Sequence, residues 1–147
     1  MRTEERMSRD EAQIRALIDA RVQAAQAKDV TAALTVVDAD VVLFDVVTPL
    51  HARGVSAERA RLEDWVASFE GPIGYEAQDL VIVTDGAVAF SHCLNHFSGK
   101  TRSGALDMWV RATTGYRKRD GVWRITHEHQ STPFDPTSGK ASLDLEP

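Results

Sequence analysis

The chain has 147 residues and a formal net charge of -5, which suits one domain with a real core and supplies no basic patch for nucleic acid. Its single cysteine excludes an internal disulfide and a cysteine-rich metal site, and no apolar run is long enough to cross a membrane. The charged amino terminus lacks the apolar core of a secretory signal, so we expect a cytoplasmic protein.

Three helices are predicted in the first half of the chain. Ser8 is followed three residues later by Glu11, the capping-box spacing that satisfies free N–H groups at a helix start. The buried side of this first helix is predicted from apolar residues at helical spacing: Ile14, Leu17, Ile18, Val22 and Ala25. Arg21 interrupts the stripe, and we expect its stem to pack while its guanidinium reaches a rim or a carboxylate. Asp29 is predicted to cap a short second helix, and Ser56 a third.

The remainder of the chain is rich in strand signals. A β-rich run extends from Val41 to Val47, and Asp85-Gly86 and Asp120-Gly121 each predict a hairpin turn between two strands. Helices followed by an antiparallel meander indicate an α+β fold with the helices on one face of a curved sheet. We expect residues 1–134 to form this single domain and residues 135–147, which are polar and lack a period, to form a flexible tail.

Alternation along the strands predicts which side chains share a face, provided that no bulge shifts the register. Three rows with apolar members follow: Val41, Leu43 and Asp45; Val88, Phe90, His92, Leu94 and His96; and Trp123, Ile125, His127, His129 and Ser131. Because apolar members belong in a core, we expect these rows to look inward. Asp45, His92 and His127 are then predicted to converge on one pocket.

The paired histidines of the last strand permit three interpretations. His127 and His129 can both reach one metal ion, with His92 or Asp107 completing the shell, but no second metal signature is present and no metal site is assigned. They can also simply hold the strand in place through hydrogen bonds. Convergence of His127 with His92, Asp107 and Asp45 favours an acid–base pocket, since such groups can be tuned to work near neutral pH.

Several further residues are candidates for ligand contact. Asp107, Trp109 and Arg111 share a row on the penultimate strand, and alternation leaves open whether this row faces inward. Three tryptophans could line an apolar cavity: Trp65 on the third helix, Trp109 and Trp123. Arg111 could clamp a ligand carboxylate or pair with a neighbouring acidic residue.

Several segments together resemble the SnoaL-like superfamily: KDVTAALTVVDADVVLFD, FEGP, AFSHCLNHF, LDMWVR and DGVWRITHEHQSTPF. The resemblance spans nearly the whole chain, from about residue 10 to Phe134. It implies the cone-shaped α+β fold shared with ketosteroid isomerase and nuclear transport factor. It also implies a deep pocket between the sheet and the helices, and dimers built through the outer sheet face.

The same resemblance implies a role for Asp45, which matches the position of the general-base aspartate of ketosteroid isomerase. Arg21 stands where that enzyme has an oxyanion-hole tyrosine, and Thr113 or Thr114 stands near its protonated aspartate. Without those donors a dienolate lacks its main stabilisation, so steroid isomerisation is not expected. SnoaL-like cyclases and the related dehydratases use pocket Asp and His for proton removal, which fits this chain better.

The sequence therefore predicts an isomerase, cyclase or dehydratase that moves a proton next to the carbonyl group of a small hydrophobic compound, without an organic cofactor. Asp45 or His127 is predicted to act as base, and His92, with Trp109 or Arg111, to hold the oxyanion. The other predicted ligand contacts are Trp65, Asp107 and His129. The alternative is a non-catalytic ligand-binding or dimerisation module. A half-apolar outer sheet face indicates a homodimer.

Overall fold

The computed structural model describes residues 7–147, and the first six residues, which belong to the charged amino-terminal segment, lie outside the described residues. The elements in chain order are α1 (Arg9–Gln26), α2 (Val30–Leu34), β1 (Val37–Phe44), β2 (Ala52–Arg53), α3 (Val55–Ala67), β3 (Gly74–Asp85), β4 (Val88–Thr101), β5 (Gly104–Arg119) and β6 (Val122–Ser131). The six strands form one sheet in the order β2-β1-β6-β5-β4-β3. Only the β1–β6 pairing within it is parallel, so the α+β prediction is confirmed.

Local sequence signals account for the helix starts. The Ser8 hydroxyl accepts a hydrogen bond of 3.1 Å from the Glu11 N–H, as the capping-box spacing predicts. Asp29 caps α2 by accepting from the Ala32 N–H at 3.0 Å. The predicted cap of α3 is wrong: Gly54 is the N-cap residue, with a positive φ of 92° and no side-chain hydrogen bond, and Ser56 lies inside the first turn.

The predicted inward row on β4 is wrong. The buried side chains of this strand include Ala89, Ser91 and Asn95, so the alternate row that contains Phe90 and His92 faces outward. Phe90 is 47% exposed. Because the outward row is itself half apolar, alternation cannot distinguish it from a core-facing row.

A bulge changes the alternation within β6. Tyr116 pairs with Ile125, but the preceding β5 residue, Gly115, pairs with His127, so Thr126 is an extra residue on β6. After the bulge the buried side chains of β6 are those of Glu128 and Gln130. The predicted inward orientation of the two β6 histidines is therefore wrong, because one extra residue moves every later side chain to the opposite face.

The main core lies between α1 and the inner face of the sheet. Its buried members are Ile14, Leu17, Val37, Val41, Leu43, Ala89, Tyr116, Trp123 and Ile125. A smaller cluster joins the three helices and consists of Ala24, Ala33, Leu34 and Leu62. The predicted inward orientation of Val41 and Leu43 is confirmed, and Asp45 follows directly after the end of β1.

The segment after β6 turns back on itself. Phe134 and Ala141 form an isolated antiparallel bridge, and the Ser142 N–H donates to the Pro133 carbonyl at 2.7 Å. The flexibility expected for residues 135–147 stays a prediction. Within residues 7–147, no helix has the length and apolar character needed to cross a membrane.

Candidate functional site

A cavity of about 950 Å³ lies between the inner face of the sheet and the three helices. This volume is at the upper end of what small-molecule sites occupy. Much of its wall is aliphatic, with Ala25, Leu43, Leu62, Met108 and Val110 among the lining residues. The carboxy-terminal segment adds Ala141 and Leu143 to the wall. Such a lining favours a ligand with an apolar body.

Five charged side chains, here called the ionic chain, form alternating ion pairs in the wall of this cavity. Arg21 binds Glu128 through two hydrogen bonds, of which the Nη2–Oε1 bond measures 2.8 Å. Arg61 binds Glu58 in the same way, with Nε–Oε2 and Nη2–Oε1 distances of 2.9 and 2.8 Å. Arg61 Nη1 also lies 3.2 Å from Asp45 Oδ2, and Arg21 Nη2 lies 3.9 Å from Glu58 Oε1. The order along the ionic chain is thus Asp45, Arg61, Glu58, Arg21, Glu128.

The folded elements bring these five groups together for identifiable reasons. Glu58 and Arg61 are three residues apart on α3, so they share one side of the helix. Glu58 lies in the first turn, where the helix N-terminus favours a negative charge, and only 1% of its side chain is exposed. The β6 bulge turns Glu128 inward, opposite Arg21 on α1. The expectation that Arg21 reaches a carboxylate is confirmed.

Burial and the ion pairs together set the protonation states of Glu128, Arg21 and Tyr75. Burial alone would raise the pKa of Glu128, but the Arg21 guanidinium beside it, aided by a 2.8 Å hydrogen bond from Gln130 Nε2, holds that pKa below its ordinary value. Burial acts in the opposite direction on Arg21, yet Glu128 raises the guanidinium pKa well above its ordinary value. Burial raises the pKa of the Tyr75 phenol to about 12. At neutral pH the carboxylate is therefore ionised and the phenol is neutral.

Another part of the cavity lining is aromatic. The aromatic wall consists of Trp65 from α3, Tyr75 from β3 and Phe97 from β4, all of which line the cavity. Phe97 meets Trp65 edge-on with ring centroids 5.5 Å apart, and Tyr75 with centroids 4.7 Å apart. Phe69 supports Trp65 from behind the wall at 5.1 Å. These rings give the cavity a polarizable face.

Of the residues predicted to form the site, Asp45 and Trp65 line the cavity. Six others do not: His92, Asp107, Trp109, Arg111, His127 and His129. Asp107, Trp109 and Arg111 belong to the outward row of β5, whose buried residues include Val110 and Ala112. The predicted convergence of Asp45, His92 and His127 is wrong, because β4 and the end of β6 present their histidines to the outer face.

The outer-face residues make contacts of their own. His96 Nε2 lies 2.7 Å from Asp107 Oδ1, and the His96 ring stacks on Trp109 with centroids 4.4 Å apart. Arg111 Nε donates to Ser131 Oγ at 3.1 Å. These interactions connect neighbouring strands and do not involve the cavity.

The two β6 histidines likewise contact β1 rather than the cavity. Nδ1 of His127 lies 2.7 Å from the Val42 carbonyl oxygen, which agrees with the interpretation that it holds the last strand in place. The rings of His127 and His129 are 6.5 Å apart, and Phe44 meets both edge-on. Within residues 7–147, no group of three or more His, Cys, Asp or Glu side chains is arranged to hold a metal ion.

Sequence reasoning missed Glu58, Arg61 and Tyr75, and it assigned Glu128 to the opposite face. A signal for two of them was present, since Arg61 and Trp65 are four residues apart on a predicted helix and Glu58 precedes Arg61 by three. That spacing places a carboxylate, a guanidinium and an indole along one helical face. Nothing in the sequence around Thr126 marks the bulge that turns Glu128 inward.

Helices packed on a curled, mostly antiparallel six-stranded sheet that encloses a cavity define a cone-shaped α+β protein. The model of the SnoaL-like domain matches residues 14–135, and the chain belongs to this family. No match was found among curated proteins.

Solved structures agree with this assignment. An NTF2-like protein of unknown function from Pseudomonas putida KT2440 is 35% identical over 97% of this chain and 100% of its own, with a TM-score of 0.87. A suggested dehydratase of the NTF2-like family from Streptomyces avermitilis is 16% identical over 86% and 97% of the two chains, with a TM-score of 0.75. A suggested aromatic ring hydroxylase from Novosphingobium aromaticivorans is 18% identical over 82% and 86%, with a TM-score of 0.72. The last two similarities show the fold alone.

Proposed function

We propose that the protein binds a small, mainly apolar molecule in the cavity, with the polar group of the ligand directed at the ionic chain. The observation that carries this proposal is a buried set of ion pairs in the wall of an otherwise largely apolar cavity. Apolar walls supply affinity, and a few fixed polar groups supply orientation. A purely structural role for the ionic chain would not require it to border a cavity.

Binding is better supported than catalysis because Asp45 is engaged on both oxygens. Its Oδ2 faces Arg61 Nη1 at 3.2 Å, and its Oδ1 accepts from the Val46 N–H at 2.7 Å. A general base must point a lone pair at the proton that it removes, and these two contacts fix the orientation of the Asp45 carboxylate. Neither His92 nor His127 lines the cavity as a substitute base.

Proton transfer next to a carbonyl group is the second candidate function, and the position of Asp45 favours it. Its carboxylate lines the cavity, and each oxygen has a second lone pair beyond the hydrogen bond that it accepts. Tyr75, neutral at neutral pH, and Arg21 line the same cavity and supply hydrogen-bond donors for a developing oxyanion. This reaction requires no organic cofactor.

Binding is tested with Nile red, a neutral apolar dye whose fluorescence rises in apolar surroundings. We expect saturable binding that Met108→Trp weakens at least about tenfold, because the larger side chain fills the cavity. Arg117→Trp, at an exposed position of the same strand, is the matched control and should bind normally. Equal binding by wild type and a folded Met108→Trp variant would contradict the proposal.

Proton transfer is tested with ketones that raise the melting temperature, since a ligand of the folded state stabilises it by mass action. In D₂O, loss of the α-proton signal in the NMR spectrum reports proton removal without knowledge of the final product. We expect Asp45→Asn to lose this exchange and Asp85→Asn, in the exposed β3–β4 turn, to retain it. If the wild type binds ketones without exchanging their α-protons, the proton-transfer function is contradicted and non-catalytic binding remains.

We also propose that a second copy of the chain covers the outer sheet face. Phe90 and Val83 pair across β3 and β4 and are 47% and 43% exposed, with Val81, also 43% exposed, two residues from Val83. Contiguous exposed apolar residues on a sheet are typical of an interface. Light scattering after size exclusion should show a dimer that Phe90→Lys dissociates and that Val122→Lys, equally exposed at a hairpin end, does not. A monomeric wild type at micromolar concentration would contradict this arrangement.

A further inference from the structure

The ionic chain contains one more carboxylate than guanidinium. Arg21 is held by two hydrogen bonds to Glu128, and Arg61 by two to Glu58, so each guanidinium already has its own carboxylate. Asp45 is the third carboxylate, at the end of the ionic chain. The excess negative charge of the ionic chain therefore lies on a residue that lines the cavity.

Charges elsewhere in the cavity wall do not reverse this sign. The lining itself is balanced, with three carboxylates and three guanidiniums: Asp29, Asp45, Asp64, Arg21, Arg61 and Arg102. Glu58 and Glu128 bind two of these guanidiniums from outside the lining, so the site as a whole has five carboxylates and three guanidiniums. Ion pairs that are buried are screened far less by salt than pairs on the surface. A ligand anion would meet this excess of carboxylates, whereas a ligand cation would be attracted to it.

The aromatic wall provides a second, independent feature that suits a cation. The faces of Trp and Tyr rings attract ammonium groups, and Trp65, Tyr75 and Phe97 all line the cavity. In the described part of the chain, the cation that sits over an aromatic ring is Lys118, 5.4 Å from the centroid of Trp123. Trp123 does not line the cavity. Within residues 7–147, no lysine or arginine of the protein is positioned over a ring face of the aromatic wall.

Asp45 and the aromatic wall line the same cavity, and Arg61 relates their positions. Arg61, which contacts Asp45, and Trp65 are four residues apart on α3, or roughly one helical turn of about 5.4 Å. Trp65 is therefore the residue of the aromatic wall whose position in the chain is related most directly to Asp45.

We infer that the ligand of the cavity is an organic cation, an amine or quaternary ammonium group carried on an apolar body, with its charge between Asp45 and Trp65. This inference rests on the proposed function and specifies the charge class of the ligand. Asp45 contributes the uncompensated charge, Trp65 the ring face, and the aliphatic lining the contact with the body of the ligand.

The test compares three compounds that share one body and differ in their end group: phenylbutylamine, phenylbutanol and phenylbutyrate. Each is titrated at neutral pH into the folded protein by displacement of Nile red. The amine should bind at least about tenfold more tightly than the alcohol, and the carboxylate more weakly than the alcohol. Asp45→Asn should reduce the preference for the amine to near unity, and Trp65→Leu should weaken the amine more than the alcohol. Asp85→Asn, the same chemical change in the exposed turn, should leave the preference intact.

Each outcome has a distinct meaning. An alcohol that binds as tightly as the amine, or an amine preference that survives in Asp45→Asn, would overturn the inference while the proposed function stands. If none of the three compounds displaces Nile red from a protein that binds the dye, the inference is also overturned and the proposed function stands. Failure to bind Nile red would overturn the proposed function itself.

Discussion

Replacement of Arg21 by methionine should destabilise the protein strongly, although it removes little apolar contact area. Methionine retains much of the apolar stem but leaves Glu128 without its guanidinium and deprives Glu58 of a cation 3.9 Å away. Side-chain exposures are 13% for Arg21 and 5% for Glu128, so water cannot fully replace the lost partner. Breaking a buried ion pair by removing one member costs about 3–5 kcal/mol.

The adjoining cavity places the expected cost of this change at the lower end of that range. Water that enters the cavity can reach the side of Arg21 that lines it. We therefore expect Arg21→Met to lower the free energy of unfolding by about 3 kcal/mol, or the melting temperature by about 6–12 °C for a domain of this size. Urea unfolding at pH 7 measures the free energy, and Arg15→Met, which breaks a half-exposed pair with Glu11 on the same helix, should cost less than about 1 kcal/mol.

A double variant distinguishes the cost of an unpaired charge from a simple loss of packing. Arg21→Met combined with Glu128→Leu removes both charges, so it should recover most of the stability lost in Arg21→Met. A single variant that costs no more than the Arg15 control would refute the reasoning. A double variant no more stable than Arg21→Met would refute it as well, because the lost stability would then not come from an unpaired Glu128.

Two further predictions follow from the pKa shifts. Because folding lowers the pKa of Glu128 below its ordinary 4.5, its contribution to stability is complete above that pH and is lost as the pH falls through the folded value. Urea midpoints from pH 7 to pH 3 should therefore fall more steeply for the wild type than for the Arg21→Met/Glu128→Leu variant, and parallel curves would contradict this. Burial raises the pKa of the Cys93 thiol from 9.0 to about 11, so iodoacetamide at pH 8 should alkylate it about a hundredfold more slowly in the native than in the urea-unfolded protein. Similar rates, measured by intact mass, would show that the thiol is freely ionised.

The starts of α1 and α2 and the two Asp-Gly hairpins could be predicted because their chemistry is local. Ser8 and Asp29 each satisfy an N–H three residues away, and Asp120-Gly121 forms a turn in which both residues have positive φ, at 52° and 78°. Each of these signals occupies only a few neighbouring residues. The α+β class follows from the order in which the elements occur along the chain.

The site could not be predicted from the sequence because it depends on which row of side chains faces inward on two strands. On β4 both rows contain apolar residues, and the outward row, which includes the exposed Phe90, resembles a core-facing row. On β6 the single extra residue Thr126 exchanges His127 for Glu128 at the inner face. The pairing of β6 with β5 determines which of these two side chains faces inward, and no local feature of the sequence indicates it.

The position of the ionic chain argues for a role beyond stability. Replacing buried ion pairs by apolar residues of similar volume is often neutral or stabilising by about 1–4 kcal/mol, so five buried charges are not the most stable way to fill this space. In a closed core such groups add specificity of packing at most. Here, two guanidiniums and one carboxylate of the ionic chain line a cavity, and the other two carboxylates hold the guanidiniums in place. Each guanidinium is held in place by its own carboxylate. A ligand that binds as proposed would meet a preorganised polar surface, and this gain in recognition would account for an arrangement that packing alone does not favour.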